Sequence, residues 1–209
     1  MSFLTQILVP YELAVRQLRI RDSYDWHQRV WQVFEGRDSE AREFLTRVDE
    51  VDDAYRLLIV SPQKPSKPNW CPTDCFMTKA IPEDFFATGV FRFSLLANPT
   101  KKLVVRNQAG ERKKNGKRVA LTKREDLVSW MQRKANAGGF DIGDPESLLT
   151  VPKQRRHFEK KGEHGVHYAV EFQGVLTVTD PTLFRTTFTS GIGSAKAFGF
   201  GLLALAPIS

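Results

Sequence analysis

Tyr24 and His27 are the side chains of this sequence best suited to moving protons near neutral pH. They stand three residues apart within Ser23-Tyr24-Asp25-Trp26-His27-Gln28-Arg29. On a helix that spacing puts them on neighbouring faces, about 60° apart. Histidine is the side chain whose ordinary titration falls nearest neutrality, so it can act as general acid or general base. A phenol beside it can hydrogen-bond a sugar hydroxyl or a phosphate oxygen. His27 also lies at the edge of the apolar stripe Trp26, Val30 and Phe34, where a histidine can equally be a part-buried core residue. The residue types alone leave both roles open.

The second feature is the C-terminal run Gly191-Ile192-Gly193-Ser194-Ala195-Lys196-Ala197-Phe198-Gly199-Phe200-Gly201. Glycine reaches positive φ and lets a backbone approach phosphate closely, and Lys196 adds a charge between the glycines. A P-loop is excluded, because Lys196 follows alanine and lacks a hydroxyl residue after it. A dinucleotide-binding unit is excluded too, since Lys196 stands where that fingerprint needs glycine and too few residues follow for a βαβ unit. Without further information the run reads as a glycine-rich turn before a last strand.

Two basic runs complete the candidates. Lys101 to Arg118 carries eight cations against Glu111, and Lys153 to Lys161 carries Lys153, Arg155, Arg156, Lys160 and Lys161 against Glu159. With a net charge of +7 and a pI near 9.5, the chain suits a polyanionic partner. Cys71 and Cys75 are the only cysteines, a C-x3-C pair too sparse for a zinc site or a disulfide framework. They read as two ordinary thiols in a reducing, cytoplasmic setting. His157, His164 and His167 show no metal-ligand spacing, so neither a metal nor another cofactor is expected.

The elements that must carry these residues are legible from periodicity. A strand is predicted over Phe3–Val9, a helix over Ser23–Phe34 with Gly36 as its stop, and strands over Glu43–Val48 and Tyr55–Val60 around an acidic turn. Four prolines between Ser61 and Pro72 mark a loop, and Cys75–Ala80 reads as a strand. The order then recurs. Strands are predicted over Val90–Leu96 and Leu103–Arg106, a helix over Leu121–Ala137, and a long strand over His167–Val178. A short helix over Pro181–Thr189 behind the Asp180 cap and a strand over Gly199–Ala206 finish the chain. This pattern predicts an α+β protein of two tandem ferredoxin-like units, residues 1–82 and 88–209, with extra hairpins in the second. Neither half carries the aromatic pattern of an RRM-type base reader.

The glycine run has the form Gly-hydrophobic-Gly, five residues including a cation, then Gly-hydrophobic-Gly. In this it resembles the C-terminal signature of the CRISPR RNA-processing superfamily. The resemblance extends through Tyr24-x-x-His27, Leu95-x-Ala97-Asn98-Pro99-Thr100-Lys101, Trp130 to Lys134, Phe172 to Leu176 and Gly199 to Pro207. In that order these pieces are similar to the CasE family of type I-E repeat-RNA endoribonucleases. The resemblance implies that Tyr24 and His27 act at a scissile phosphate and that Lys153 to Lys161 forms a basic hairpin against a repeat stem-loop. It implies that Arg29, Gly193 and Lys196 also meet RNA, and that other Cascade subunits are partners. Some family members carry a lysine about a turn after the histidine. Gln32 and Val33 occupy that stretch here, leaving charge stabilisation to Arg29 or another cation. An RNA-binding Cascade subunit that has lost cleavage would share most of these features.

Overall fold

In the computed structural model, residues 1–34, 42–87, 89–103, 118–160 and 163–208 are described, with no account of the side chains of 157–160, 163 and 164. The first half opens with β1 (Ser2–Pro10), in which Thr5, Ile7 and Val9 alternate as buried residues. A short π-helical turn, Leu13–Gln17, follows; no periodic signal announces it. Helix α1 (Ser23–Trp31) begins where the Asp22 carboxylate accepts hydrogen bonds from the Tyr24 and Asp25 amides. Its buried residues, Trp26 and Val30, are four apart and so share one face. Strands β2 (Leu45–Val51) and β3 (Ala54–Ser61) form a hairpin whose turn is Asp52–Asp53, tighter than expected. Asp52 takes φ +50°, a conformation aspartate tolerates better than most residues. With β4 (Phe76–Ile81), the sheet runs β2-β3-β1-β4, all antiparallel. That is the ferredoxin-like order. The proline-rich 62–72 segment and a 3₁₀ turn at Thr73–Cys75 occupy the place of a second helix.

The second half repeats the order in full. It comprises β5 (Val90–Ala97), the β6–β7 pair (Thr100–Lys102 with Arg118–Ala120) and α2 (Arg124–Asn136). Two short edge strands follow, β8 (Phe140–Asp141) and β9 (Leu149–Pro152), then the hairpin β10 (Arg156–Lys160) and β11 (Glu163–His167). The half ends with β12 (Val170–Val178), α3 (Pro181–Ser190) and β13 (Leu203–Pro207). The sheet order is β13-β5-β12-β8, with β9 also on β12.

Two expected strands differ. A third, over Leu103–Arg106, is described only at Leu103, just after β6, because residues 104–117, with most of the first basic run, lie outside the described residues. The long strand His167–Val178 is broken at Tyr168–Ala169, where the chain passes from the basic hairpin into the sheet. The last strand starts at Leu203, because Gly199 and Gly201 adopt φ of +81° and +89°, outside the β region.

One core packs α1 against the face of the first sheet that carries Ile7, Val9, Leu57 and Ile59. The opposite face contributes Leu45, Val60 and Ile81 to a larger core with Phe93, Leu95, Trp130, Phe172 and Phe184 of the second half. No helix among the described residues is long and apolar enough to cross a membrane.

Candidate active site

Helix α1 lies against both β10 and the 3₁₀ turn Lys196–Phe198 of the glycine-rich segment. The fold therefore brings three sequence candidates, the Tyr-x-x-His helix, the basic hairpin and the glycine run, to one place.

On α1, Tyr24 is exposed and His27 is half-buried. The imidazole lies among Trp31 and Phe44, with both ring centroids 6.0 Å away. Trp31 Nε1 donates to His27 Nε2 at 3.1 Å. A nitrogen accepting a hydrogen bond carries no proton, so the neutral ring is the Nδ1–H tautomer. Trp31 is fixed in turn by edge-on contact with Phe44 at 4.9 Å, and Phe44 stacks on Phe34 at 4.8 Å. Sequence reasoning missed the bond from Trp31 to His27. The available signal was the i, i+4 spacing of an indole donor and an imidazole acceptor.

Of the cations named from the sequence, Arg155 is exposed and stacks its guanidinium over the Tyr168 ring at 4.7 Å. Lys153 is half exposed, with its ammonium 2.8 Å from Glu171. Lys160 ends β10, and Lys161 lies outside the described residues.

Arg156 and Arg29 face the protein. Arg156 donates to the Phe198 carbonyl at 3.2 Å and the Val48 carbonyl at 3.3 Å, and stands over the Phe200 ring. Burial, partly offset by Asp49, lowers the pKa of its guanidinium. It ties the hairpin to β2 and to the glycine segment. Arg29 donates to the Leu18 carbonyl at 3.0 Å and pins the loop that leads into α1. Both were expected at RNA; in the structure Arg29 gives one N–H, and Arg156 two, to backbone carbonyls of other segments of the chain.

The glycine segment closes on itself, with the Ile192 amide donating to Gly201 and the Gly201 amide to Leu96. Gly191, at φ +76°, abuts Leu45, and a Cβ there would sit 2.8 Å from the leucine methyl. A Cβ at Gly193, where φ is +90°, would sit 3.2 Å from the Trp130 indole. At these positions glycine serves close approach of chain to chain. Lys196 donates to the Ser190 carbonyl at 2.6 Å, and burial, with Arg42 and Lys134 nearby, lowers its pKa.

Cys71 is buried, and burial pushes its thiol up to about 11; both cysteines are free. Among the described residues no three His, Cys, Asp or Glu side chains gather as metal ligands would.

The model of the family described as CRISPR associated protein matches residues 2–207. The chain is 31% identical over 192 residues to the CRISPR system Cascade subunit CasE of Escherichia coli K12, covering 90% of this chain and 94% of that one. It is 29% identical to the CRISPR-associated endoribonuclease Cse3 of Thermus thermophilus, covering 96% and 97%. Its fold superposes, with a TM-score of 0.72 and 26% identity over 99% of each chain, on Thermus thermophilus Cse3 bound to an RNA representing a pre-cleavage complex. The doubled sheet, the glycine closure and these full-length likenesses together make this chain a member of the CRISPR-associated protein family.

Proposed function

We propose that this chain is a metal-independent endoribonuclease that cuts CRISPR precursor RNA in its repeat hairpin, keeps the product and serves as a subunit of Cascade. Its relatives are named for that activity and that assembly. The observation that carries the reading is that α1, which bears Tyr24 and His27, lies against both β10 of the basic hairpin and the turn of the glycine segment. In the reaction, the 2′-oxygen upstream of the scissile bond attacks its own phosphorus, and the bond from phosphorus to the 5′-oxygen breaks. The 2′-hydroxyl loses its proton and the 5′-oxygen gains one, leaving a 2′,3′-cyclic phosphate and a 5′-hydroxyl. The nucleophile belongs to the substrate, so the protein has to align it, transfer protons and stabilise the phosphorane. His27 is the proton-transfer group and Tyr24 orients the ribose or the phosphate. Arg155, Lys153 and the remainder of the basic hairpin hold the stem through its phosphates. Gly193 and Lys196 bring the glycine turn to the RNA, while Arg156 and Arg29 hold the interface in shape. In this reading residues 1–82 carry the chemistry and residues 88–209 the grip, in the cytoplasm where the two thiols stay reduced.

The test is incubation of a labelled repeat hairpin with the protein in EDTA. One defined cut with a cyclic-phosphate end is expected. His27→Ala should abolish the cut and leave hairpin affinity within about threefold, since binding rests on phosphate contacts elsewhere. Binding of wild-type protein without any cut would make the chain a non-cleaving RNA subunit instead.

A further inference from the structure

At the foot of the basic hairpin, Arg156 of β10 and His167 of β11 stand opposite one another in the ladder. Arg156 is tied to the Val48 and Phe198 carbonyls, and His167 has anchors of its own. Its Nδ1 lies 3.1 Å from the side-chain nitrogen of Asn98, the residue that follows β5. Its ring packs on Phe198 and Phe200 of the glycine segment, at 4.8 and 5.7 Å between centroids. Phe200 is buried in a small core with Leu96 and Ala169, against which Phe198 also packs. Asn98 is buried too, and its backbone carbonyl accepts from the Ser194 hydroxyl at 3.2 Å. Hairpin, β5 and glycine segment thus meet at one imidazole. The turn that carries Phe198 in its turn contacts α1.

An amide nitrogen only donates, so His167 Nδ1 accepts and the bond requires the neutral ring. Protonation would set one N–H against another and place a second cation opposite Arg156. The charges on the surrounding elements do not offset this. β10 brings Arg156, the glycine turn brings Lys196, and Asn98 after β5 is neutral. Asp49 and Glu50 of the first sheet act on Arg156, and the register puts Glu159, Lys160 and Glu163 at the far end of the hairpin. Burial, and then Arg156, lower the pKa of His167 from its ordinary 6.5. We propose that neutral His167, held by Asn98, is a positioning residue for cleavage: it locks the basic hairpin onto the glycine segment and so sets where a gripped RNA stem meets α1. The consequence for cutting rests on the ribonuclease reading; the lock itself does not. With its folded pKa below the ordinary one, the lock is complete above about pH 6.5 and is lost as pH falls through the lower, folded value.

Two substitutions separate the lock from simple packing. His167→Phe keeps a ring against Phe198 and Phe200 and removes the acceptor, whereas His167→Gln keeps an acceptor for Asn98 and does not titrate. The first measurement is thermal unfolding of the RNA-free protein between about pH 7.5 and 5.5, above the range in which carboxylates titrate. The wild-type melting temperature should fall across this interval by more than that of His167→Gln. The second is single-turnover cutting of the repeat hairpin at about pH 7.5 with protein in excess. His167→Phe should cut about tenfold more slowly while its affinity stays within about threefold, because the stem is still gripped but is presented to α1 out of place. His167→Gln should recover most of the wild-type rate. Equal pH dependence in wild type and His167→Gln would overturn the lock. Cutting by His167→Phe at the wild-type rate, or equal slowing in both variants, would remove His167 as a positioning residue and leave a packing group. If wild type cuts no RNA while the pH difference holds, the lock stands and the ribonuclease reading falls.

Discussion

The bond from Trp31 to His27 decides how the imidazole is presented before RNA arrives. With Nε2 accepting from the indole at 3.1 Å, the ring is held in one tautomer and one orientation within an aromatic wall. Such orientation matters because misplacing a reacting group by about 1 Å costs roughly a hundredfold in rate. Trp31→Phe keeps an aromatic ring against Phe44 and deletes the donor. Cutting is expected to fall by about ten- to a hundredfold in single-turnover assays, while hairpin affinity stays within about twofold. Nitrogen NMR of the histidines should show His27 passing from the Nδ1–H form to a mixture of tautomers. An unchanged spectrum and an unchanged rate together would make the indole a packing group only.

At the scale of elements, the basic hairpin shows how neighbouring residues of one type acquire opposite duties. Arg155 precedes β10 and spreads its guanidinium over Tyr168 in solvent, where a stem phosphate can reach it. Arg156, the next residue, turns the other way and is spent on the carbonyls of Val48 and Phe198. Charge reversal therefore separates them. Arg155→Glu should weaken hairpin binding and flatten its salt dependence, with the melting temperature almost unchanged. Arg156→Glu should instead destabilise the protein by about 3 kcal/mol, because it buries a carboxylate against two carbonyl oxygens. Equal salt slopes in wild type and Arg155→Glu would remove the start of this hairpin from the RNA surface.

At the scale of the whole molecule, one buried ionic network joins the halves. Arg47 of β2 donates to both oxygens of Asp49, to Ser94 of β5 at 2.7 Å and to Glu171 of β12 at 2.7 Å. Lys153 completes it on the second oxygen of Glu171. Burial pushes the Glu171 carboxyl up, but Lys153, Ser94 and Arg47 outweigh that and hold it at about 2. Its folded pKa is thus below its ordinary 4.5, so the stabilisation is complete above that value and is lost as pH falls toward about 2. Glu171→Ala leaves Arg47 buried with one carboxylate partner in place of two, and should cost about 3 kcal/mol at neutral pH. The variant should also lose much of the wild type's decline in melting temperature between about pH 5 and 2. A decline as steep as in wild type would mean other carboxylates carry the acid sensitivity.

From the amino-acid order alone follow most of the strands, the three helices and the repeated plan, because these rest on local periodicity and caps; type and spacing single out Tyr24 and His27 but leave their role open. Even there local rules have limits. The π-helical turn at Leu13–Gln17 shows no period, and the last strand starts late because two glycines take φ values no strand allows. The tertiary structure decided which cations face solvent and which face the chain. Arg155 and Arg156 are alike in type and adjacent in sequence, and only the position of β2 distinguishes them. It also decided the partners of His27, Trp31 on its own helix and Phe44 just before β2. Such pairings depend on which surfaces come together when apolar faces of distant elements are buried in common, and that information resides in no local stretch of the chain.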